Sequence, residues 1–476
     1  MKGLSISFFG GVGTVTGSKY LIKTPTRSLL VDCGMFQGLK TLRDLNWSPL
    51  PFKPSELDAL ILTHAHIDHS GYLPRLVKQG YKGPVYCSSG TAQLLEILLP
   101  DAGRLQEEDA EHRNLHGLTH HTPALPLYTE QDAYKALRLL QPLSIDNESV
   151  HLFGASKARF MNAGHIIGSR FVQVTIEEKD MHPCTILFSG DIGQYDRAIL
   201  PDPVSPPPCD YLLVESTYGN RLHGSEPPET ALKNIILSAV KRGGPVLIPA
   251  FAVDRTQEIL YLLRELEDSK SIPVLPVFID SPMAAAATEV YTRLKSEQDE
   301  RYRKLTNAGR NPLSTRNLTI ARTREESKRI NDHRGPKIVI SAAGMMTGGR
   351  VLHHAERILP DPTAAIVFVG YQAEGTTGRL IRDGASEVPI YKTSVPVRCH
   401  VEAVEGLSSH ADWKDTLRWL SNMRRRPRLT FVTHGEPESA QALKRHLETE
   451  FHWEAAVPAY GDRFELDGTG EHQAHA

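Results

Sequence analysis

The sequence predicts an α/β protein with layered sheets, because strand-like and helix-like patterns alternate along the chain. Short β-branched runs that end in Gly, Asp, His or Ser are separated by stretches with helical periodicity. The predicted strands are Ser5–Phe9, Ser28–Asp32, Ala59–Thr63, Phe171–Ile176, Thr185–Ser189, Tyr211–Glu215, Pro245–Pro249, Lys337–Ser341, Ala365–Gly370 and Leu429–His434. The predicted helices are Gly90–Leu99, Thr129–Leu140, Thr230–Lys241 and Gln257–Leu266.

The length indicates more than one domain. At about 100–200 residues per domain, a chain of 476 residues corresponds to two or three domains. Pro201–Pro208 reads P-D-P-V-S-P-P-P, which can form neither a helix nor a central strand. The chain from about Asn220 to Cys399 has its own strand–helix alternation and a charged helical stretch, Thr288–Lys304. We therefore predict a first domain over residues 1–219 that residues 400–476 complete, and a second domain inserted over residues 220–399.

Charge and cysteine content limit the classes of function. The formal net charge is −2 with His neutral, so a nucleic-acid contact must come from a local basic patch. The five cysteines are scattered and never form C-x-x-C, which argues against a disulfide framework and a cysteine zinc site and fits a reducing cytoplasm. No run approaches the roughly 18 apolar residues of a membrane helix, and the first apolar run is too short for a signal peptide. We expect a cytoplasmic protein without membrane contact.

The strongest chemical pattern is the segment Thr63–His69, T-H-A-H-I-D-H, which follows an apolar predicted strand. It places three histidines and one aspartate within six residues. Imidazole and carboxylate are ligands that bind Zn²⁺ as a Lewis acid. A single histidine is more often structural, but four ligand-type residues in this spacing predict a metal site.

Three further ligand candidates also follow strand-like runs. His165, Asp191 and His434 each lie beside Gly or another small residue. Any one of them could merely cap a strand. Together they supply the ligands that a second metal ion requires.

These residues, with Asp32-Cys33-Gly34, resemble the metallo-β-lactamase superfamily. Further segments resemble its β-CASP nucleic-acid-processing branch; they are Glu215–Gly219, Ser341–Arg350, Gly370–Arg379 and Leu407–Asp412. The resemblance extends from about residue 5 to residue 440, and it is closest to the RNA-cleaving members related to the cleavage-and-polyadenylation endonuclease. It implies an αββα four-layer fold with an inserted α/β β-CASP domain.

The resemblance implies two zinc ions and a set of roles for these residues. One ion would be held by His64, His66 and His165, the other by Asp68, His69 and His434, and Asp191 would bridge them. Asp32 would orient a ligand or the bridging water by a hydrogen bond, although it could instead be a turn-forming residue before Gly34.

The same arrangement implies hydrolysis of a phosphodiester by a metal-bridging hydroxide. A pair of metal ions lowers the pKa of a bridging water towards about 7 and neutralises charge on the phosphate. Asp68 would belong to this catalytic centre. The resemblance assigns protonation of the leaving oxygen to Glu215 and His410, with His410 donating and Glu215 raising its pKa. The alternative is that Glu215 caps a strand and His410 lies in a surface turn.

The resemblance further implies that the substrate is single-stranded RNA, because a histidine at position 434 goes with RNA-directed enzymes in this branch. The expected activity is that of a zinc-dependent ribonuclease, an endonuclease for which 5′-to-3′ exonuclease activity stays open. A non-catalytic RNA-binding subunit and a DNA-directed nuclease of the same fold are the alternatives, and a homodimer is an open option. A glycine-rich turn at a helix start exposes backbone amides that suit a phosphate. The candidates for phosphate contact are Ser341, Gly344, Thr347, Gly348, Arg350 and Arg379.

The details of RNA contact are open at three residues. Phe251 and Tyr371 could stack on bases or pack in the core. Asp254 stands where relatives commonly have Gly, and an acid there would repel phosphate unless Arg255 neutralises it.

Overall fold

The chain forms two compact units in a computed structural model, which describes residues 3–118, 123–144, 149–179, 182–224, 226–370, 372–373, 375–391, 393–466 and 474–475. Unit 1 comprises Met1–Asp196, Asp202–Leu222 and His410–Ala476. Unit 2 comprises Arg197–Pro201 and His223–Ser409. Over the described ranges, no helix has both the length and the apolar character that crossing a membrane requires.

Unit 1 contains two mixed sheets. The strands of the first sheet are β1 Ser5–Phe8, β2 Tyr20–Lys23, β3 Ser28–Val31, β4 Ala59–Ile61, β5 Val85–Ser88, β6 Leu140–Leu143, β22 Arg463–Glu465 and β23 Ala474–His475. Those of the second are β7 Ser149–Phe153, β8 Ser156–Asn162, β9 Arg170–Ile176, β10 Cys184–Phe188, β11 Tyr211–Glu215, β20 Leu429–Thr433 and β21 Ala455–Ala456. The orders are β23-β22-β1-β2-β3-β4-β5-β6 and β21-β20-β11-β10-β9-β8-β7.

The two sheets of unit 1 pack face to face over one apolar core. Alternate residues of the strands point inward, so that Phe8 and Ile22 of the first sheet meet Ile186 and Phe431 of the second. The helices are α1 Lys40–Leu45, α2 Ile67–Ser70, α3 Leu73–Lys78, α4 Ser89–His116, α5 Glu130–Leu137, α13 Trp413–Ser421 and α14 Pro437–Glu450. Helix α4 packs on β5 and β6, while α13 and α14 cover the outer face of the second sheet. The predicted αββα layering is therefore confirmed.

Helix α4 is much longer than the sequence predicts. The predicted stretch ends at Leu99, but the helix continues through Pro100 to His116. A proline inside a helix costs about 3 kcal/mol through one lost hydrogen bond and a steric clash. The part of the helix beyond Pro100 packs on α5, and its Gln106 and Glu107 side chains accept hydrogen bonds from the Leu127 and Glu130 N–H groups, which offsets that cost.

Unit 2 is built on a six-stranded parallel sheet. Its strands are β12 Val246–Pro249, β13 Val277–Asp280, β14 Leu318–Ile320, β15 Ile338–Ser341, β16 Ala365–Phe368 and β19 His400–Ala403, and a separate antiparallel pair is formed by β17 Glu387–Ile390 and β18 Thr393–Pro396. The order in the large sheet is β14-β13-β15-β12-β16-β19. The helices are α6 Pro228–Arg242, α7 Arg255–Asp268, α8 Pro282–Arg293, α9 Glu300–Asn307, α10 Arg324–Ile330, α11 Arg350–Ile358 and α12 Thr377–Arg382. Two apolar clusters contain side chains of the sheet, as expected when both faces are covered.

The sequence suggested one helical stretch over Thr288–Lys304, but the structure has two helices there. Helix α8 ends at Arg293, and α9 begins at Glu300 after a short 3-10 turn. The Asp299 side chain accepts a hydrogen bond from the Arg301 N–H and so caps the start of α9. Local capping thus overrides the continuous polar pattern.

Candidate functional site

The predicted metal ligands of unit 1 all follow the carboxyl ends of strands. His64 to His69 follow β4, His165 follows β8, Asp191 follows β10, and His434 follows β20. Strands β10, β11 and β20 are mutually parallel, and two antiparallel steps give β8 the same direction as β10. Their carboxyl ends therefore lie at one edge of the second sheet, where the ligand atoms come together.

A first group of four ligand atoms has the spacing of a tetrahedral zinc site. The His66 Nδ1 atom lies 3.1 Å from His64 Nε2 and 3.2 Å from His165 Nε2. The Asp191 Oδ2 atom lies 3.4 Å from His64 Nε2 and 3.5 Å from His165 Nε2. Ligands at 2.0–2.1 Å from a tetrahedral zinc are about 3.3–3.4 Å apart, so these four atoms fit one ion.

A second group lies on the other side of Asp191. The His69 Nε2 atom is 2.9 Å from His434 Nε2 and 3.2 Å from Asp191 Oδ1. The Asp68 Oδ2 atom is 3.5 Å from His434 Nε2. These distances also suit a shared cation, and the two oxygens of Asp191 face different groups.

The Asp191 carboxylate has the environment of a metal ligand. Its side chain is 1 % exposed, and neither oxygen has a hydrogen-bond partner within the described part of the chain. A buried carboxylate whose oxygens accept no hydrogen bond is costly. Positive charge between Asp191 and the surrounding imidazoles would remove that cost, so the residues fit a bound metal.

The titration behaviour of the histidines also fits a metal centre. Burial lowers the pKa of His64 and His165 and lowers that of His66 to about 3, so these rings are neutral, as metal binding requires. Burial also acts to lower the pKa of His69, but the Asp191 and Asp32 carboxylates raise it well above its usual range. The two carboxylates thus favour positive charge at the position of His69.

Two residues hold the ligands in place. The Asp32 Oδ2 atom lies 2.8 Å from His69 Nδ1, so Nε2 of that ring faces the second group. The Thr63 N–H and hydroxyl donate to Asp32 Oδ1 over 2.8 and 3.0 Å, and the Thr63 hydroxyl lies 3.1 Å from His64 Nδ1. Sequence reasoning gave Thr63 no role, although its position directly before the first ligand is a usable signal.

Glu215 and His410 are adjacent in unit 1. The His410 Nδ1 atom lies 3.0 Å from Glu215 Oε2 and 3.8 Å from Asp191 Oδ2. Burial lowers the pKa of His410, but Glu215 and Asp191 outweigh that effect and raise it to about 9. The imidazole is therefore protonated at neutral pH.

Thr217 is a second residue that sequence reasoning missed. Its hydroxyl donates to Glu215 Oε2 over 2.6 Å and lies 3.2 Å from His434 Nδ1. It therefore connects Glu215, the partner of His410, to a predicted metal ligand. Its place two residues after Glu215 is the only signal in the sequence.

The predicted phosphate-binding residues lie around the carboxyl end of β15 in unit 2. The Ser341 side chain is buried and donates to the Asp280 carbonyl over 3.0 Å. The Arg350 guanidinium donates to Asp280 Oδ1, to the Ala321 carbonyl and to the Arg322 carbonyl. These two side chains support the loop from within.

The other phosphate candidates differ in their accessibility. Thr347 is exposed, Gly348 is half-buried and Gly344 is buried. Arg379 on α12 is exposed and donates to Asp383 Oδ2 over 2.7 Å. Tyr371 lies outside the described residues, whereas Phe251 is 42 % exposed and so is not a core residue.

Asp254 belongs to a buried ionic cluster in unit 2. Its carboxylate accepts hydrogen bonds from the Arg197 guanidinium at 2.7 Å, the Ser409 hydroxyl at 2.8 Å and the Tyr291 hydroxyl at 3.0 Å. Burial raises the pKa of Asp254, but the charge of Arg197 outweighs it and the net shift is downward. Arg197 forms the direct ion pair with Asp254, whereas Arg255 forms its ion pair with Glu258 and adds to the downward shift of the Asp254 pKa through its charge.

The backbone at Asp254 explains why Gly is an alternative there. Its φ is 70° and ψ is −61°, and the Arg255 N–H donates to the Val253 carbonyl over 2.9 Å, which defines a strained γ-turn. We expect Asp254→Ala to lower the free energy of unfolding by about 3 kcal/mol, because it leaves one uncompensated buried cation. Asp254→Gly should cost about 1 kcal/mol less, since Gly relieves the backbone strain.

Chemical denaturation of both variants would test this, with Tyr291→Phe as a control that removes one hydrogen bond and costs about 1 kcal/mol. Equal stability of Asp254→Ala and the native chain would contradict the role of the cluster.

Comparison with known proteins finds family descriptions and relatives that match most of the chain. Three family descriptions match: metallo-beta-lactamase superfamily over residues 12–128, Beta-Casp domain over residues 256–381, and Zn-dependent metallo-hydrolase RNA specificity domain over residues 394–458. The chain is 39% identical over 442 residues to Ribonuclease TTHA0252 of Thermus thermophilus, which covers 92% of this chain and 95% of that relative. It is 31% identical over 465 residues to Transcription termination factor FttA of Methanocaldococcus jannaschii, covering 96% of this chain and 70% of that relative.

A solved structure supports the fold. The crystal structure of a protein of unknown function from Enterococcus faecalis V583 matches with a TM-score of 0.55 at 13% identity, over 97% of this chain and 100% of that chain. Taken with the layered fold, the clustered ligands and the relative that is 39% identical over 92% of this chain, the family matches show that the chain belongs to the β-CASP branch of the metallo-β-lactamase superfamily.

Proposed function

We propose that the chain is a zinc-dependent ribonuclease that hydrolyses phosphodiester bonds of single-stranded RNA at a centre of two metal ions. The observation that carries the proposal is the buried Asp191 carboxylate between two ligand groups, with Oδ2 3.4 Å from His64 Nε2 and Oδ1 3.2 Å from His69 Nε2. Two sites that share one carboxylate suit a two-metal hydrolase.

The comparisons favour RNA as the substrate class. The relative that this chain spans almost completely, at 95% of its length, is named a ribonuclease. The chain spans about 70% of the transcription termination factor from M. jannaschii, so a role of that whole protein transfers less directly. The matched description over residues 394–458 names RNA specificity.

We assign the ligands from the distances given above. His64 Nε2, His66 Nδ1, His165 Nε2 and Asp191 Oδ2 would hold one ion, and Asp68 Oδ2, His69 Nε2, His434 Nε2 and Asp191 Oδ1 would hold the other. When bound, such a pair supplies a water with a pKa near about 7 and neutralises phosphate charge. Asp32 fixes the tautomer and orientation of His69, which keeps the ligand basic.

The proton for the leaving oxygen comes from His410 in this proposal. Glu215 holds Nδ1 of the imidazole, so Nε2 is the nitrogen that delivers the proton. The raised pKa keeps His410 protonated at neutral pH, and Thr217 fixes the Glu215 carboxylate. In this proposal His410 is the general acid, and the Glu215 carboxylate keeps the imidazole protonated.

In unit 2 we assign phosphate contact to the glycine-rich loop that begins at Ser341. Backbone amides around Gly344, Thr347 and Gly348 suit a phosphate oxygen, and Arg379 adds an exposed positive charge. Ser341 and Arg350 would act by holding the loop rather than by touching RNA. The five buried, unpaired cysteines suit a reducing cytoplasm.

The proposal is tested by metal analysis together with digestion of end-labelled RNA. We expect the purified protein to contain two zinc ions per chain and to cleave single-stranded RNA, to lose activity on chelation and to regain it when zinc is returned. A matched DNA strand is the control for substrate class, and faster cleavage of DNA would replace RNA by DNA in the proposal. RNA binding without bound zinc and without cleavage would favour a non-catalytic subunit.

A further inference from the structure

Phe251 is an exposed aromatic residue in an ordered segment of unit 2. It follows strand β12, and its side chain is 42 % exposed, whereas no other phenylalanine among the described residues is an exposed one. Its carbonyl accepts hydrogen bonds from the Thr256 N–H at 3.2 Å and the Thr256 hydroxyl at 2.8 Å. The preceding Ala250 N–H donates to the Ser341 carbonyl at 3.0 Å. The backbone that carries the ring is thus fixed on both sides.

The ring lies against two glycines. A Cβ atom on Gly344 would be 3.1 Å from the Phe251 backbone nitrogen and 3.3 Å from its Cδ2, and a Cβ on Gly370 would be 3.9 Å from its Cε2. Neither glycine has the positive φ that would require Gly for its conformation. At Gly344 the absence of a side chain therefore provides room for the aromatic ring.

Gln372 joins the two glycine segments that contact the ring. Its side chain is 2 % exposed, and its Nε2 donates to the Gly344 carbonyl at 3.1 Å and to the Gly370 carbonyl at 3.3 Å. The support of the ring is therefore cross-linked by a buried amide. An exposed ring on a rigid support loses little conformational entropy when a flat ligand covers it.

The position of the ring in the sheet suits a nucleotide. Phe251, Gly344 and Gly370 follow the carboxyl ends of the parallel strands β12, β15 and β16, the edge at which open α/β sheets bind ligands. The same edge carries the glycine-rich loop with exposed Thr347. The loop that contains Gly344 thus offers backbone amides that suit a phosphate. The exposed ring of Phe251 lies against Gly344 of the same loop. From Pro245 to Thr256, Phe251 is the one exposed large apolar side chain. A patch that docks a protein presents a larger exposed apolar area than one ring.

We propose that Phe251 is a stacking platform for one base of the RNA substrate, which makes it a substrate-binding residue of unit 2. The proposal rests on the proposed function in that it takes the ligand to be RNA. Stacking uses the π-face that every base has, so the platform accepts any of the four bases.

The test is a cycle of protein and RNA changes read as kcat/KM of the zinc-loaded protein. Phe251→Ala should lower kcat/KM on an intact RNA by roughly 5- to 150-fold, the loss that removal of one base stack produces. Phe251→Trp should retain activity, and Phe251→Leu should fall with Ala because it is apolar but cannot stack. Tyr391→Ala, at another exposed aromatic of unit 2, is the matched control and should leave the kinetics unchanged.

A set of RNAs with one abasic ribose at each position in turn completes the cycle. At one position the abasic RNA should be cleaved equally well by the native chain and by Phe251→Ala, because the stack is already absent. Equal loss at every position, or recovery by Leu, would mean that the ring serves packing and would overturn the proposal, as would an unchanged Phe251→Ala variant.

Failure of the proposed function gives a different pattern. If the native chain binds RNA but does not cleave it, the same cycle is read as affinity by fluorescence anisotropy and decides the role of Phe251 alone. If the native chain hydrolyses a small phosphodiester but does not bind RNA, the platform is excluded while the metal chemistry stands.

Discussion

Replacing Asp191 by Asn is expected to remove both metal ions and to lower RNA cleavage by on the order of 10³-fold or more. The carboxylate supplies one oxygen to each ligand group, at 3.4 Å from His64 Nε2 and 3.2 Å from His69 Nε2. An amide keeps the shape of the side chain but loses the negative charge that neutralises two cations. Zinc content after dialysis and the initial rate on end-labelled RNA are the two measurements.

His66→Ala is the matched comparison for Asp191→Asn. His66 belongs to the first ligand group alone, so its loss should release one ion and leave the other bound. Both variants should be inactive, but only Asp191→Asn should lose both ions. Full zinc content in Asp191→Asn, or cleavage that survives it, would contradict a shared carboxylate at the catalytic centre.

Glu215→Gln is expected to lower kcat by roughly 10²-fold and to move the basic limb of the pH–rate profile to lower pH. The rate should fall as pH rises through the pKa of His410, about 9, because the acid form is the proton donor. Burial acts to lower that pKa, and the Glu215 charge is the first of the groups that raise it. Without the charge, the imidazole loses its proton at lower pH, so the ratio of native to variant rates should grow with pH.

Thr217→Val separates charge from hydrogen bonding. It removes the hydroxyl that donates to Glu215 Oε2 at 2.6 Å but keeps the carboxylate, so the rate should fall while the basic limb stays in place. His410→Ala should remove the limb and cost about 10²–10⁴-fold in rate. A ratio of native to Glu215→Gln rates that is constant with pH would mean that Glu215 has only a structural role as the last residue of β11.

The strands that the sequence predicted have nearly their observed bounds, whereas some of its helical stretches do not. The run Tyr211–Glu215 was predicted with its observed bounds, and most other predicted strands differ by one or two residues, because a buried strand is a short apolar run with turn residues at its ends. The helix through Pro100 and the break after Arg293 were missed. Both depend on tertiary burial and on a capping side chain, which a local pattern does not reveal.

Candidate site residues could be found from the sequence where ligand-type residues follow predicted strands. The supporting residues could not, because Thr63 and Thr217 are distinguished only by what their hydroxyls touch after folding. The partner of Asp254 was also beyond sequence reasoning, since Arg197 lies 57 residues away, whereas Arg255 is adjacent. The domain bounds 1–219, 220–399 and 400–476 and the roles of the phosphate-binding residues stay predictions.

The division of unit 1 between two distant stretches of chain has a consequence for synthesis. Strand β1 pairs with β22, and His69 meets His434, so the beginning of the chain completes its sheet and its cation site only with residues made near the end. A nascent chain in which His434 has not yet been made therefore lacks one ligand of the second group, and that group is complete only after unit 2 has been translated.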